Sequence, residues 1–316
     1  MKNLRKNIIP VLFFAILMGF ILRFSAMAKQ YAYLGLSIWF EQMIPSLLPF
    51  MIISSMLIKL NLDEILIKPF SGIIKLLYKI SDAGAYVLVM GLLCGFPMGA
   101  KAAVMEYDEG KISKEEAQFL LSFSNNIGPA YFLSFVYGNI YMGISLLHGI
   151  FFLYALPLLY GFILRRTVYR NLSVMPETLS HNKNVSPKKS FLGVLDESIN
   201  NGLIQISMLG GYMIVCNLLV IIPKTLFYKN PSLCAFFHNI LEISGGLLSI
   251  KSLNLPLDTA FALAHLSLGF TGISCHLQTF HIMGNTDLSK QKYMLHKLIL
   301  CSIIGILLYI YCMFVL

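Results

Sequence analysis

The sequence predicts an all-α protein with several membrane-spanning helices, arranged as two related halves. Of its 316 residues, 57% are hydrophobic and only 12% are charged, whereas soluble domains carry about 25% charged residues. Several apolar runs reach about 20 residues, the length that a helix needs to cross a bilayer. Glycine and proline interrupt apolar segments in both halves, which predicts broken helices and a re-entrant hairpin in each. We therefore expect a polytopic membrane protein built as an inverted repeat.

The charge pattern favours contact with a lipid bilayer over binding to nucleic acid. The formal net charge is +9, and the basic residues are scattered around apolar segments. Cytoplasmic loops of membrane proteins carry such an excess of lysine and arginine. The most basic loop is 165–190, with six basic residues against one acidic residue, Glu177. We expect this loop to be a cytoplasmic linker between the halves, and we expect no nucleic-acid partner.

Cysteine, histidine and catalytic motifs argue against several kinds of site. The six cysteines form no Cys-x-x-Cys pair, and the seven histidines are dispersed. Cysteines in apolar stretches are typical of small core residues rather than of a disulfide framework. His276 and His281 share a helix face poorly, so we expect neither a metal site nor a cofactor. No Gly-x-Ser-x-Gly or His-Glu-x-x-His motif occurs, and we do not expect an enzyme.

Residues 1–32 are predicted to form an N-terminal span. Basic residues precede an apolar run from Ile8 to Leu22, and Ala26-Met27-Ala28 follows it. Cleaved signal peptides have the same layout. A polytopic chain nevertheless needs a first helix to set its topology, which favours an uncleaved span.

Residues 33–164 are predicted to form the first repeat. Its first apolar segment contains Pro45 and Pro49, which predict a kinked or split span because proline removes a helix hydrogen bond. Residues 61–80 follow as an amphipathic or partly inserted helix near the cytoplasmic face. A clear span from Tyr141 to Leu164 closes the repeat.

A re-entrant hairpin is predicted between residues 83 and 105. Gly95, Pro97 and Gly99 prevent a regular helix from running through this apolar stretch. Broken backbone at membrane depth is tolerated only where protein or a water-filled cavity covers it. The turn is therefore a candidate binding site.

A second interruption follows in the same half. Ser113 and Glu116 form a capping box that starts the next helix. That helix is predicted to break at residues 125–129, where polar side chains precede Gly128 and Pro129.

Residues 191–316 are predicted to form the second repeat. It contains a span at 203–223, a broken apolar segment at 233–250, a hairpin at 257–283 and a final span at 293–316. Aligning Gly269-Phe270 with Gly95-Phe96 places the two hairpins in corresponding positions. We therefore expect both hairpin tips to meet near the bilayer midplane.

The predicted topology leaves one conflict. Lys290, Lys292 and Lys297 flank the final span, which favours a cytoplasmic start for it. An inverted repeat would instead begin the second hairpin outside. A short additional crossing near residues 233–250 would reconcile the two expectations.

Several motifs resemble those of the YlbJ-like sporulation integral membrane proteins. The resemblance lies in Gly-Phe-Pro-x-Gly-Ala-Lys at 95–101 and in the run from Gly110 to Ala117 that leads to Ser-Asn-Asn-x-Gly-Pro at 124–129. The second half matches more loosely, at 241–243, 269–272 and 286–287. These proteins belong to the wider group with nucleoside-recognition (Gate) domains, which is similar to concentrative nucleoside transporters.

The resemblance implies a bacterial membrane protein that acts in the mother cell during sporulation and moves dipicolinic acid across the outer forespore membrane. The alternatives are a carrier of nucleosides or other small solutes, and a membrane assembly factor that transports nothing. The expected partners are a small anion and the lipid bilayer. The sequence leaves open whether copies of the chain form a homo-oligomer.

Dipicolinate is a flat aromatic ring with two carboxylates, so its site needs positive charge, amide donors and an apolar slot. Lys101 is the predicted charge partner, and helix N-termini at the hairpin tips also favour anions. Phe96 and Phe270 are predicted to face the ring, and Glu242 to bind a proton or cation. A purely structural interpretation is that Lys101 extends to the membrane surface and the glycines serve packing. The full predicted site is Gly95, Phe96, Pro97, Gly99, Lys101, Ser124, Asn125, Asn126, Gly128, Glu242, Gly269, Phe270 and Thr271.

Overall fold

The computed structural model describes residues 2–138, 146–174 and 190–314. Within these ranges every regular element is a helix. Five helices there are long and apolar enough to cross a membrane, or six if one bent pair is counted as a span. They are Ser25–Lys59, Leu146–Arg166, Phe191–Leu226, Leu257–Asn285 and Lys290–Phe314, with the bent pair Ile65–Tyr78 and Asp82–Leu93. The predicted all-α polytopic class is thus confirmed.

The described first half contains ten α-helices. They are α1 (Lys2–Arg23), α2 (Ser25–Ile38), α3 (Ile44–Lys59), α4 (Asp63–Tyr78), α5 (Asp82–Leu93), α6 (Met98–Asp108), α7 (Lys114–Leu121), α8 (Pro129–Tyr131), α9 (Leu146–Ile150) and α10 (Leu156–Arg166). π-Helical turns join α2 to α3, extend α8 and join α9 to α10, at Trp39–Met43, Phe132–Tyr137 and Phe151–Ala155.

The described second half contains seven α-helices. They are α11 (Phe191–Leu219), α12 (Ile221–Leu226), α13 (Pro231–Leu241), α14 (Ile243–Ser252), α15 (Leu257–Phe270), α16 (Gly272–Ile282) and α17 (Lys290–Phe314). A 3₁₀ turn, Met283–Asn285, follows α16.

The predicted kinked span is present, and it is longer than expected. The chain is helical from Ser25 to Lys59, and the π-helical turn lies just before Pro45. Proline lacks an N–H and its ring clashes with the preceding turn, so a widened turn accommodates it. The predicted boundary after residue 32 falls inside α2. Helix α11 packs along α2 and α3, and the Trp39 indole donates a hydrogen bond of 2.7 Å to the carbonyl of Ile206.

The chain reversal predicted between residues 83 and 105 is present as a helical hairpin, and its re-entrant placement in a membrane stays a prediction. Helices α5 and α6 pack against each other and cross closely at Gly91 and Gly99. They are joined by a turn at Gly95, which has φ +73°. A Cβ atom on Gly95 would collide with the backbone of Gly128, so both the φ angle and the close approach require glycine.

The helix that follows the first hairpin begins as predicted and ends earlier. The Ser113 hydroxyl caps α7 by accepting a hydrogen bond of 3.2 Å from the Glu116 N–H. Glu116 does not return a bond to Ser113. Its carboxylate instead accepts bonds from the N–H and hydroxyl of Ser81, at 2.7 and 2.8 Å, and so ties α7 to the start of α5. Helix α7 ends at Leu121, and the non-helical stretch reaches Gly128.

The second hairpin lies at α13 and α14, and its predicted position at residues 257–283 is wrong. Glu242, with extended φ −146° and ψ 122°, forms its turn. The arms are antiparallel, since Gly246 lies against the backbone of Asn239. They contain 11 and 10 residues, about 15 Å each at 1.5 Å per residue, or half of the hydrocarbon core. This segment therefore does not supply the additional crossing considered above.

Residues 257–285 instead form one span with an interruption. Only Thr271, at φ 70°, separates α15 from α16, and Gly272 follows at φ 75°. These two left-handed residues interrupt the helix without reversing the chain, since Leu257–Asn285 forms one span. Gly269 packs against Ile304 of α17, which accounts for a glycine there. Each half thus has a hairpin followed by an interrupted helix: α5–α6 then α7–α8, and α13–α14 then α15–α16.

The predicted linker 165–190 is anchored at its beginning. Arg165 is buried and donates hydrogen bonds to the carbonyls of Tyr78, Tyr169 and Leu172, at 2.8, 2.5 and 3.1 Å. Helix α11 begins after Ser190, whose hydroxyl accepts a bond of 3.1 Å from the Gly193 N–H. Residues 175–189 lie outside the described chain.

Candidate functional site

A central cavity of about 60 Å³ lies where the hairpin turns meet the interrupted helices. The first hairpin turn contributes Phe96 and the first interruption contributes Gly128. The second turn contributes Glu242, and the start of α16 contributes Cys275. Helices α3 and α11 complete the wall. Elements from both halves of the sequence therefore share one internal space.

The first turn and the first interruption are held together by backbone contacts. The Phe96 N–H donates a hydrogen bond of 2.6 Å to the carbonyl of Asn126. A Cβ on Gly99 would lie 2.8 Å from the carbonyl oxygen of Ser124. Glycine allows the two backbones to touch. The structure thus brings together these predicted site residues: Gly95, Phe96, Gly99, Ser124, Asn126 and Gly128.

The asparagines of the first interruption bond to protein groups in this conformation. The Asn125 side-chain oxygen accepts a bond of 3.3 Å from the Ala100 N–H, and its nitrogen donates one of 3.2 Å to Thr279. The Asn126 nitrogen donates to the carbonyl of Phe123 at 2.5 Å. These amides fix the interruption against α6 and α16. A ligand that uses these same N–H groups must displace these bonds.

Lys297 is the residue that the sequence interpretation missed. The charge pattern predicts a place for it in the charged flank of the last span, yet its side chain has 0% exposure. Its ammonium donates bonds of 2.6 Å to the carbonyl of Asn125 and 2.9 Å to the side-chain oxygen of Asn126. The available signal was its position inside the apolar helix α17, because an ionisable residue at membrane depth is a functional candidate.

Glu242 is a buried carboxylate at the edge of the central cavity, with 1% exposure. It accepts hydrogen bonds from the N–H groups of Ser244 and Gly245, at 3.1 and 2.7 Å, and so caps α14. The Asn217 side-chain nitrogen adds a third bond of 3.2 Å. Glu242 forms no ion pair with any described residue. The amide donors and the N-terminus of α14 favour the ionised form of Glu242 and oppose the effect of its burial.

A hydrogen-bonded chain leads away from Glu242. The Asn217 side-chain oxygen lies 2.9 Å from Nε2 of His238, and Nδ1 of His238 lies 2.8 Å from the Ser249 hydroxyl. Because both Asn217 N–H groups are used, by Glu242 and the carbonyl of Met213, its oxygen must accept. His238 therefore carries a proton on Nε2.

Lys101 is buried but lies outside the lining of the central cavity. It sits on α6 with 3% exposure, and its ammonium has no hydrogen-bond partner among the described residues. Lys59, a second cation, is close enough to act on it electrostatically. Lys59 itself pairs with Glu197 at 2.6 Å. The structural alternative in which Lys101 reaches the membrane surface does not fit this burial.

Phe270 and Phe96 do not face a common space in this conformation, which contradicts the predicted pair. Phe270 lines a separate apolar cavity of about 220 Å³ beside α17. Its ring lies edge-on to His276, with centroids 4.9 Å apart. The reason is that α15 continues into α16, so Phe270 and the buried Thr271 do not form a hairpin tip. Pro97 lines another small pocket, of about 20 Å³.

A polar contact between the halves holds the start of α17. Asp287, in the loop before α17, accepts bonds from Lys114 at 2.7 Å and Tyr107 at 2.8 Å. These bonds lower the pKa of the Asp287 carboxyl below its ordinary value. Gln118 exchanges two bonds with the backbone of Ser289, at 2.7 and 3.2 Å. These contacts fix the register of the helix that carries Lys297.

Five or six apolar spans around an internal cavity define a polytopic integral membrane protein. The chain is a distant homologue of the sporulation integral membrane protein YlbJ of Bacillus subtilis (strain 168). The two are 26% identical over 301 residues, which cover 84% of this chain and 72% of that protein. No protein-family profile matches the chain, and no solved structure matches it. The resemblance found in the motifs is therefore supported, and the Gate domain stays a prediction.

Proposed function

We propose that the protein transports a small anionic aromatic metabolite, with dipicolinate as the favoured substrate, across a membrane of a sporulating bacterium. One observation carries the proposal: two hairpin turns and two helix interruptions surround one internal cavity. Irregular backbone at membrane depth is typical of the midplane sites of carriers. The name of the homologue supports the sporulation context. The family resemblance supports dipicolinate and the outer forespore membrane.

The proposal requires the site to open. The central cavity is about 60 Å³, whereas pockets for small ligands are about 300–1,000 Å³. On this proposal the structure is a closed conformation, since a substituted aromatic ring does not fit a cavity of this size. Movement of either hairpin against the interrupted helices would enlarge the cavity and free the amides of Asn125 and Asn126.

The charges around the site suggest how an anion would be handled. The buried ammonium groups of Lys297 and Lys101 do not line the closed cavity but would favour a carboxylate once the site opens, whereas an ionised Glu242 at the cavity edge repels one. Protonation of Glu242 would remove this repulsion, so the proposal includes coupling between anion and proton movement. We also propose that the hairpin and interrupted helix of one half are related to those of the other by an inverted repeat.

Flux into proteoliposomes tests the proposal. Purified protein should accumulate labelled dipicolinate at a rate well above that of protein-free vesicles, and uridine in excess should compete poorly. An inward proton gradient should change the rate. Uridine flux without dipicolinate flux would refute the substrate, and absence of all flux from folded protein would favour an assembly factor.

A further inference from the structure

A second cavity, apart from the central one, has no part in the transport step proposed above. It is a cleft of about 410 Å³ between α2, α12 and α14. Its wall carries Lys224, His238, Tyr31, Ser249 and Ser252, and none of its described lining residues is Asp or Glu. The space exceeds the central cavity and falls within the range of ligand pockets, about 300–1,000 Å³. Its polar groups are cationic or neutral, which suits an anion.

Lys224 is the one lysine on this wall, and its ammonium forms no ion pair or side-chain hydrogen bond with any described residue. The rings of Tyr31 and His238 meet edge to face, with centroids 5.7 Å apart. The cleft thus offers a free positive charge beside an aromatic surface. A low-dielectric wall concentrates the field of such a charge and raises the local concentration of anions.

The second hairpin turn lies between the cleft and the central cavity. His238, Gly245 and Ser249 face the cleft. Glu242 faces the cavity, and Asn217 connects it to His238 through bonds of 3.2 and 2.9 Å. A displacement of this turn would break that chain and join the two spaces.

The position of the cleft along the helices indicates the side on which it opens. Lys59, at the end of α3, pairs with Glu197 near the start of α11. Gly35 of α2 lies instead against Met213, near the end of α11. The two long helices are therefore antiparallel, and the cleft lies at the end opposite Ser190, where the loop 165–190 ends. If that loop is cytoplasmic, the cleft faces the other side of the membrane.

We propose that this cleft is a vestibule that binds small aromatic carboxylates on the non-cytoplasmic side, with Lys224 as the charge partner. The proposal rests on the transport function for its link to the central cavity. The carboxylate contacts the Lys224 ammonium, and the Tyr31 ring supplies the apolar face. The second hairpin turn then acts as the gate between vestibule and cavity.

A cysteine on the wall can report the local charge without any transport. Ser252→Cys places a thiol at an exposed position in the cleft, in a background with Cys301→Ser and Cys312→Ser, since the other four cysteines are buried. The measurement is the ratio of modification rates by an anionic and a cationic methanethiosulfonate reagent at low salt. Protein without Ser252→Cys gives the background.

Addition of Lys224→Gln should lower this ratio at least threefold. The matched control is Lys229→Gln, which removes an exposed lysine of the same segment that does not line the cleft, and it should leave the ratio unchanged. Millimolar dipicolinate should slow the modification severalfold when Lys224 is present and have no effect in Lys224→Gln.

The outcomes separate the vestibule from the transport function. An unchanged ratio in Lys224→Gln overturns the vestibule, and so does a lack of protection by dipicolinate when wild-type proteoliposomes carry it. Protection that depends on Lys224, in a protein that carries no dipicolinate, supports the anion site and refutes the transport proposal.

Discussion

At the residue scale, two buried lysines differ in what holds them. The Lys297 ammonium donates to two oxygen atoms of the first helix interruption, whereas the Lys101 ammonium has no hydrogen-bond partner among the described residues. A buried charge without a partner is costly, and each such group in a native protein needs an explanation. Lys297 is therefore expected to matter for folding, and Lys101 for binding.

Replacement of Lys297 by methionine should destabilise the protein. It leaves the carbonyl of Asn125 and the side-chain oxygen of Asn126 without their donor, which costs about 1–3 kcal/mol for a buried acceptor. The melting temperature in detergent should fall, and flux should be lost. The control is Lys292→Gln, an exposed position on the same helix. Equal melting temperatures for the two variants would contradict the role of Lys297.

Replacement of Lys101 by glutamine should separate binding from folding. Loss of a buried charge partner should weaken anion binding by about 2–5 kcal/mol. The melting temperature should not fall, because no described protein group loses a bond. Lys101→Arg should also weaken anion binding, since a planar guanidinium does not fit every lysine site. Normal dipicolinate flux in Lys101→Gln would show that the lysine is not a binding residue.

At the element scale, the first hairpin depends on its contact with the first interruption. Gly95→Ala introduces a Cβ that would collide with Gly128, at a left-handed φ that alanine adopts only with strain, about 1–3 kcal/mol. The turn should move away from Gly128 and the melting temperature should drop. Gly72→Ala in α4 is the control, because the space around Gly72 is open, and it should be neutral or slightly stabilising. Similar melting temperatures for the two would refute this contact.

The two hairpin turns are stabilised by different contacts. The first relies on glycine and on the backbone of the following interruption, whereas the second relies on Glu242, whose carboxylate caps the returning helix. The residues thus give the second turn a charged group that the first lacks. This difference explains why a motif alignment on Gly-Phe selected the wrong segment, since Gly269 serves packing against Ile304.

At the scale of the whole molecule, the orientation in the membrane follows from the loop 165–190. Its six basic residues and single acidic residue favour the cytoplasm. Protease or an impermeant label applied from the non-cytoplasmic side should leave this loop intact, whereas inverted vesicles should expose it. Cleavage from the outside would reverse the topology and place the vestibule on the cytoplasmic side.

The sequence by itself determined the class of the protein and the first hairpin. Apolar runs of sufficient length specify membrane spans wherever they occur, and the Gly95–Gly99 run and the Ser113 cap act within a few residues. Such signals need no information from the rest of the chain. The polar interruption after α7 could be predicted from the sequence for the same reason.

Only the tertiary structure decided where the second hairpin turns and what Lys297 does. Glu242 and Thr271 both interrupt apolar segments, and the choice between reversal and continuation depends on which helices pack together: α13 packs on α14, while α15 and α16 form one span. Lys297 becomes a site residue only because α17 lies beside the interruption at Asn125 and Asn126. These contacts join residues that are far apart in the chain, so no local pattern encodes them.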